Sequence, residues 1–387
     1  MTTRTNPTPP AGTSAGRARR HAGRPRVPAA PRGAAARGRT LAAAFDSRHN
    51  ALDVLRLALA LTVAVVHTMY LGLGHQPQAG STDVGSLAVD GFFVLSGFLV
   101  ARSWLRLGSL RRFLWHRALR ILPAFYVSLA LTALVVAPLL AVLSGRSATS
   151  VFSGPDSAVG YVTRNAGLLM RQFGIAGLGD DGSGSVVNGS LWTLFFEAAC
   201  YGIVAGLGVL GVLARRRWVV PALLVLLWAL TVSATAGYNP VGSELMLRFA
   251  FIFLLGVAGH LYADRLPLSL PLAALAVALV AAGLALLPDY RALGGPAFAY
   301  AFLYAVVRLP LRWRPRWDLS YGVYVWHWPI ALTLATAGLA GAVGPVFVPL
   351  SLAVTAVVAA LSWRVVEAPA LSLKNAAWVT AGRVRRP

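Results

Sequence analysis

Apolar stretches of about twenty residues recur along the chain, each closed by a short polar segment. They run over 51–73, 84–104, 119–143, 191–213, 218–237, 244–263, 267–288, 294–310, 319–339 and 344–366. As helices, twenty residues span about 30 Å, the thickness of a bilayer's hydrocarbon core, where only helices and closed barrels satisfy their own backbone. The pattern predicts an all-α integral membrane protein of ten transmembrane helices. Pro296, Pro345 and Pro349 make the eighth and tenth stretches the least sharply bounded. Charged residues are only 12% of the 387 and hydrophobic ones 57%. So few charges do not cover a soluble surface, which excludes a soluble multidomain enzyme.

The net charge of +22 first suggests nucleic acid, but its distribution argues otherwise. Residues 1–48 hold ten arginines and one acid, Asp46, among Pro, Gly, Ala, Thr and Ser. This composition predicts a disordered basic tail, with no apolar core that would make it a secretory signal. If the tail is cytosolic, then Arg102, Arg106, Arg111, Arg112, Arg117, Arg120, Arg215–Arg217, Arg308 and the C-terminal cations are cytosolic too. The opposite side then carries only Arg146, Arg164, Arg171 and Arg291. That is the asymmetry of the positive-inside rule. It predicts both termini in the cytosol and accounts for the basic charge without nucleic acid. The expected organisation is a tail over 1–48, a membrane domain over 49–368 and a cytosolic tail over 369–387. The long outer loop 144–190, with Gly-Asp-Asp-Gly-Ser-Gly at 179–184, is long enough to act as a lid. A single cysteine, Cys200, excludes an internal disulfide and a cysteine zinc cluster, and no metal site is expected.

Ionisable groups inside apolar stretches are costly and face a partner or a cavity. Arg56 and His67 lie about 16.5 Å apart along one helix and about 20° from the same face. His67, Asp90 and Glu197 each fall about 9 Å from the outer end of their stretch. Three groups at one depth suggest a polar cavity open outward; the alternative is an ion-paired structural knot. Arg117 and Arg120 are one turn apart at the cytosolic end of the third stretch. They are either ordinary positive-inside charge or a clamp for a phosphorylated ligand. Ser96 reads more readily as packing than as a nucleophile, and Cys200 as core.

Several motifs occur in order. Leu52-Asp53-x-Leu55-Arg56 is followed, ten residues on, by His67. Then come Asp90-Gly-Phe-Phe-Val-Leu-Ser-Gly-Phe98, Arg117-Ala-Leu-Arg120-Ile-Leu-Pro123 and Leu191-Trp-Thr-Leu-Phe-Phe-Glu197. Leu319-Ser-Tyr-Gly-Val-Tyr-Val-Trp-His327-Trp-Pro329 and Trp363-Arg-Val-Val-Glu367-Ala-Pro369 complete the set. In this series the chain resembles acyltransferase family 3, integral membrane proteins that move acyl groups onto carbohydrate hydroxyls. Val54 and Leu57 depart from it, standing where the family usually has glycine.

The resemblance implies acyl-CoA as a co-substrate arriving from the cytosol, with no permanently bound cofactor. It implies an acceptor hydroxyl met in or beyond the membrane. Arg56 and His67 match the family's arginine–histidine pair, and Arg117 and Arg120 its cytosolic arginine pair. His67 would serve as base, with Glu197 or Asp90 orienting its ring; a transiently acylated histidine is the other route. The acceptor would be a glycosylated natural product of macrolide type, as in antibiotic biosynthesis, or a cell-surface glycan or glycolipid. A single-domain form is expected, without a separate transfer domain. The rival class is a multi-span transporter, which predicts inverted repeats and matching broken helices; neither is evident in the sequence.

Overall fold

A computed structural model of the protein describes residues 40–46, 50–180, 184–238, 241–311 and 316–376. Helix dominates. The long helices are α1 Leu52–Leu73, α2 Val84–Leu107, α3 Leu110–Leu131 with its continuation to Leu143, and α4 Thr193–Val209. Next come α5 Val219–Thr235, α6 Glu244–Leu261, α7 Leu270–Leu286 and α8 Arg291–Arg308. α9 is Ser320–Thr336, and α10 is Phe347–Ser362, prolonged through a π-helical turn, Trp363–Glu367, to Ser372. Their limits follow the apolar stretches closely. The third helix, though, begins at Leu110 rather than near 119, because Arg111, Arg112 and Arg117 are good helix formers in its first turns. Five helical segments, among them α1, α2, the whole of α3 and α6, are long and apolar enough to cross a membrane. α4, α5 and α7 are apolar but shorter.

α6 and α9 form the interior. Phe249, Phe251 and Phe253 of α6 are fully buried although they do not share one face, and Ser320–Pro329 of α9 is buried without interruption. A helix buried all round is a core element. α5 and α7 instead expose Val225, Leu226, Leu275 and Val277. Apolar surface of this extent faces lipid rather than water. The protein is a multi-pass, mostly helical membrane protein, with a small antiparallel pair, Gln78–Ala79 and Thr82–Asp83, between α1 and α2.

Close approaches between helices depend on small residues. A Cβ on Gly97 of α2 would lie 2.0 Å from the Phe253 carbonyl oxygen, and one on Gly256 of α6 would lie 2.1 Å from that of Val94. The two backbones therefore touch through reciprocal glycines. Similarly, Ala359 of α10 packs on Gly322 of α9. α1 and α9 run parallel, so residues at the start of one meet residues at the start of the other.

Both ends of the membrane domain depart from expectation. Disorder through residue 48 does not hold for 40–46: Leu41–Ala44 is helical and Leu41 is fully buried. Its backbone donates to Leu266 and, from Ala42, to Ala263, while the Phe45 ring lies under Arg102 and beside Phe98. An apolar Leu-Ala-Ala-Ala-Phe run thus follows the basic segment and docks; residues 1–39 lie outside the described residues. At the other end α10 continues to Ser372, past the expected boundary at 368.

Candidate active site

Two cavities lie toward opposite ends of the bundle. The larger, about 730 Å³, opens where α2 ends and α3 begins. Six arginines (56, 102, 106, 112, 117 and 120) and Lys374 line it, against two carboxylates, Glu197 and Asp318. The smaller, about 320 Å³, lies at the far ends of α1 and α9, walled by Tyr70, Leu71, Trp328 and Leu332 and by loop residues Gly179 and Val186. That loop is a packed roof. Val151, Tyr161, Ile175 and Val187 are fully buried, and Trp328 Nε1 donates to the Val186 carbonyl at 3.2 Å. Residues 181–183, within the Gly-Asp-Asp-Gly-Ser-Gly run of the expected lid, lie outside the described residues.

At the arginine end Asp318 organises two cations. Its Oδ2 accepts from Arg56 at 3.0 Å and from Arg120 at 2.9 Å, and its Oδ1 accepts from Ser320 at 2.6 Å. Arg120 lies over the Tyr321 ring, and Arg117 lies over that of Tyr201. The Nε atoms of Arg112 and Arg117 are buried without a hydrogen-bond partner. A cavity lined by five more cations than carboxylates favours an anion.

His67 lies between the cavities. Its Nδ1 is 2.8 Å from Nε2 of His327, and the two rings are near parallel. His327 Nδ1 is 3.0 Å from the Val323 carbonyl, which only accepts. With both rings neutral, this fixes the protons by the hydrogen-bond network: Nδ1–H of His327 donates to Val323, and Nδ1–H of His67 donates to Nε2 of His327. Nε2 of His67 is left as the proton acceptor of the pair. The Trp328 indole, a wall of the smaller cavity, meets the His67 ring edge-on at 4.9 Å. On the other side Tyr324, which lines the larger cavity and hydrogen-bonds Thr193, has its ring 6.1 Å from that of His327.

The three groups expected at one depth part company. Asp90 is completely buried in an ionic knot, accepting from Arg248 at 2.9 Å and from Arg291 at 2.7 Å, with the Tyr290 hydroxyl at 2.8 Å. Arg291, assigned from sequence to an outer loop, is the first residue of α8 and is buried. Glu197 lines the arginine cavity, accepting from the Tyr201 and Ser96 hydroxyls. It sits deeper than the sequence suggests because α4 starts inside the bundle. Asn188, Ser190 and Leu191 enter as buried, non-helical chain, with Asn188 bound to Ser128 and to the Val325 carbonyl. Irregular backbone at such depth is tolerated where protein surrounds it. Neither Asp90 nor Glu197 hydrogen-bonds His67, so the expected carboxylate orienter is replaced by His327.

Arg56, Arg117 and Arg120 line one cavity; the sequence joins Arg117 with Arg120 and places Arg56 with His67. Asp318, Tyr201, Tyr324 and Lys374 were not singled out as site residues in the sequence, although Tyr324 lies in the Leu319–Pro329 motif. Asp318 precedes the first turn of α9, where helical periodicity says nothing about direction. His327 did have a signal, a histidine embedded in an apolar aromatic stretch, but its partner was not legible.

The chain matches the acyltransferase-domain model of family 3 over residues 49–364. It is 30% identical over 375 residues to nodulation protein 10 of Rhizobium leguminosarum bv. viciae, covering 85% of this chain and 95% of that protein. It is 31% identical over 166 residues to an O-acetyl transferase of Shigella phage Sf6, covering 42% of this chain and 46% of that protein. It is 28% identical over 364 residues to the "Putative peptidoglycan O-acetyltransferase YrhL" of Bacillus subtilis (strain 168), covering 82% of this chain and 54% of that protein. The chain thus spans nearly all of the first relative but about half the length of the other two. No solved structure matches it. With the ordered motifs, the arginine cavity and the histidine pair in place, the chain belongs to acyltransferase family 3.

Proposed function

We propose that the protein is a membrane O-acyltransferase that carries a short acyl group from acyl-CoA to a sugar hydroxyl. The acceptor is a cell-surface glycan or a glycosylated natural product. The observation that carries this reading is the His67–His327 pair, set between a cation-lined cavity and a smaller aromatic one. The bundle crosses the membrane ten times with both termini in the cytosol, so the arginine end faces the cytosol. Acyl-CoA enters there. Its nucleotide phosphates, carrying about four negative charges, meet the cationic lining, and its thioester reaches toward Tyr324. The smaller cavity is at the low end of the usual range for ligand sites, which suits one sugar ring with the remainder outside.

As the acceptor oxygen attacks the thioester carbonyl, its proton passes to Nε2 of His67. The resulting imidazolium is stabilised by the hydrogen bond from its Nδ1–H to His327. Collapse of the tetrahedral adduct breaks the C–S bond, and the proton on His67 goes to the departing thiolate. The thioester is already activated, so a positioned base and two converging sites suffice.

Membrane vesicles of defined sidedness test this. Labelled acetyl-CoA added outside inverted vesicles should label a glycoside sealed within. The same addition to right-side-out vesicles should give no transfer. Equal transfer in both would refute the two-sided reading.

A further inference from the structure

The family match ends at residue 364, yet the chain beyond it builds one side of the arginine cavity. α10 passes through its π-helical turn and runs on to Ser372; Leu373–Asn375 then forms a single 3₁₀ turn against the start of α3. Two neighbouring side chains of α3 hold this turn by its backbone. Trp115 Nε1 donates to the Leu373 carbonyl at 2.9 Å, and His116 Nε2 donates to that of Lys374 at 3.1 Å. Leu371 and Lys374 therefore line the cavity.

Lys374 is the single lysine among 35 basic residues. It is held within electrostatic reach of Arg117, Arg120 and Asp318, whose carboxylate is already shared by Arg56 and Arg120, and no carboxylate forms a salt bridge with Lys374 among the described residues. Holding one more cation beside two others is unfavourable unless an anion joins them. An exposed positive-inside charge needs no such restraint: it would trail in solvent, whereas two indole and imidazole donors fix this backbone. An ammonium group is a compact, rotatable point charge, suited to a phosphate oxygen whose direction changes as the donor enters.

We infer that Lys374 binds a phosphate group of the donor, and that Trp115 and His116 position it by holding the Leu373–Asn375 turn. This rests on the acyl-CoA reading above. It adds a binding residue from outside the matched domain and makes the C-terminal turn part of the donor site.

Calorimetric titration of the purified, detergent-solubilised full chain with CoA and with 3′-dephospho-CoA tests it. Lys374→Ala and Lys374→Gln should weaken CoA binding about tenfold, and Lys374→Arg should stay within about threefold of the parent. Trp115→Phe, which removes the donor to Leu373, should weaken CoA binding by a smaller factor and leave the KM for the acceptor unchanged. If Lys374→Ala weakens CoA alone, the partner is the 3′-phosphate; if it weakens both ligands equally, the partner is the diphosphate. Parent-like affinity of Lys374→Ala and Lys374→Gln for both ligands, while the parent binds CoA, overturns the inference and leaves the donor reading standing. A parent that binds neither ligand overturns both.

Discussion

Two buried polar clusters of the bundle, the Asp90 knot and the His67–His327 pair, differ in what they leave open. Asp90 has each oxygen satisfied, by Arg248, Arg291 and Tyr290, and lines neither cavity. The histidine pair chains its hydrogen bonds in one direction, ending at Val323, and leaves Nε2 of His67 without a described partner. Its neighbours Trp328 and Tyr324 line the two cavities. An ionisable group at membrane depth is therefore not by itself a mark of chemistry. What separates the two clusters is whether hydrogen-bonding capacity remains and whether the neighbouring side chains open onto a cavity; His67 and His327 themselves line neither.

The comparison predicts different kinds of loss. His67→Ala should lower transfer by about 10²–10⁴-fold, with membrane insertion and thermal stability near those of the parent. A drop in folded yield as large as the drop in rate would put His67 in the same class as Asp90. Asp90→Asn should act on the fold instead. It takes the buried counter-ion from Arg248 and leaves Arg291 with Asp289 alone, a loss of about 3–5 kcal/mol, read as a lowered melting temperature in detergent. Folded molecules that survive should keep the parent KM for both substrates.

His327→Ala should reduce turnover by about 10–100-fold with little change in either KM, because it orients the base without touching substrate. His327→Gln, whose amide oxygen can accept from His67, should recover part of that loss; a purely space-filling role would give no difference between the two. The smallest effect belongs to Asp318→Asn. Arg56 and Arg120 then lose a shared charged acceptor in a partly exposed site, and the KM for acyl-CoA should change by about three- to fivefold. An equal change in the KM for the acceptor would mean that Asp318 serves the bundle rather than the donor cavity.

Much of this architecture was legible because bilayer thickness sets helix length, so the apolar stretches mark the long helices within a few residues, except at the start of α3 and the end of α10. The arginine pair Arg117 and Arg120 was legible for the same reason, since one turn fixes a shared face. Partners across helices were not. Depth counted from a stretch's end assumes that the helix starts at the membrane surface, and the buried segment 188–191 breaks that assumption for Glu197. Asp90 fails differently: depth carries no azimuth, and its face turns toward α6 and α8 rather than toward α1. Gly85, Gly91 and Gly97 recur every six residues along α2 but do not make one stripe. Six residues turn a helix by about 240°, and Gly91 meets Leu59 and Phe302 while Gly97 meets the backbone of α6.

The central claim is that His67 accepts the acceptor's proton between the two cavities, and His67→Gln tests it most directly. Glutamine keeps a hydrogen-bonding side chain of similar reach but does not take up a proton at neutral pH. Transfer should be measured on parent, alanine and glutamine variants purified to the same monodispersity, with acetyl-CoA and acceptor both saturating. The account predicts a glutamine variant nearly as inactive as alanine, about 10²-fold or more below the parent. A glutamine variant within about threefold of the parent would contradict it, and Glu197, the carboxylate in the arginine cavity, would become the base to examine.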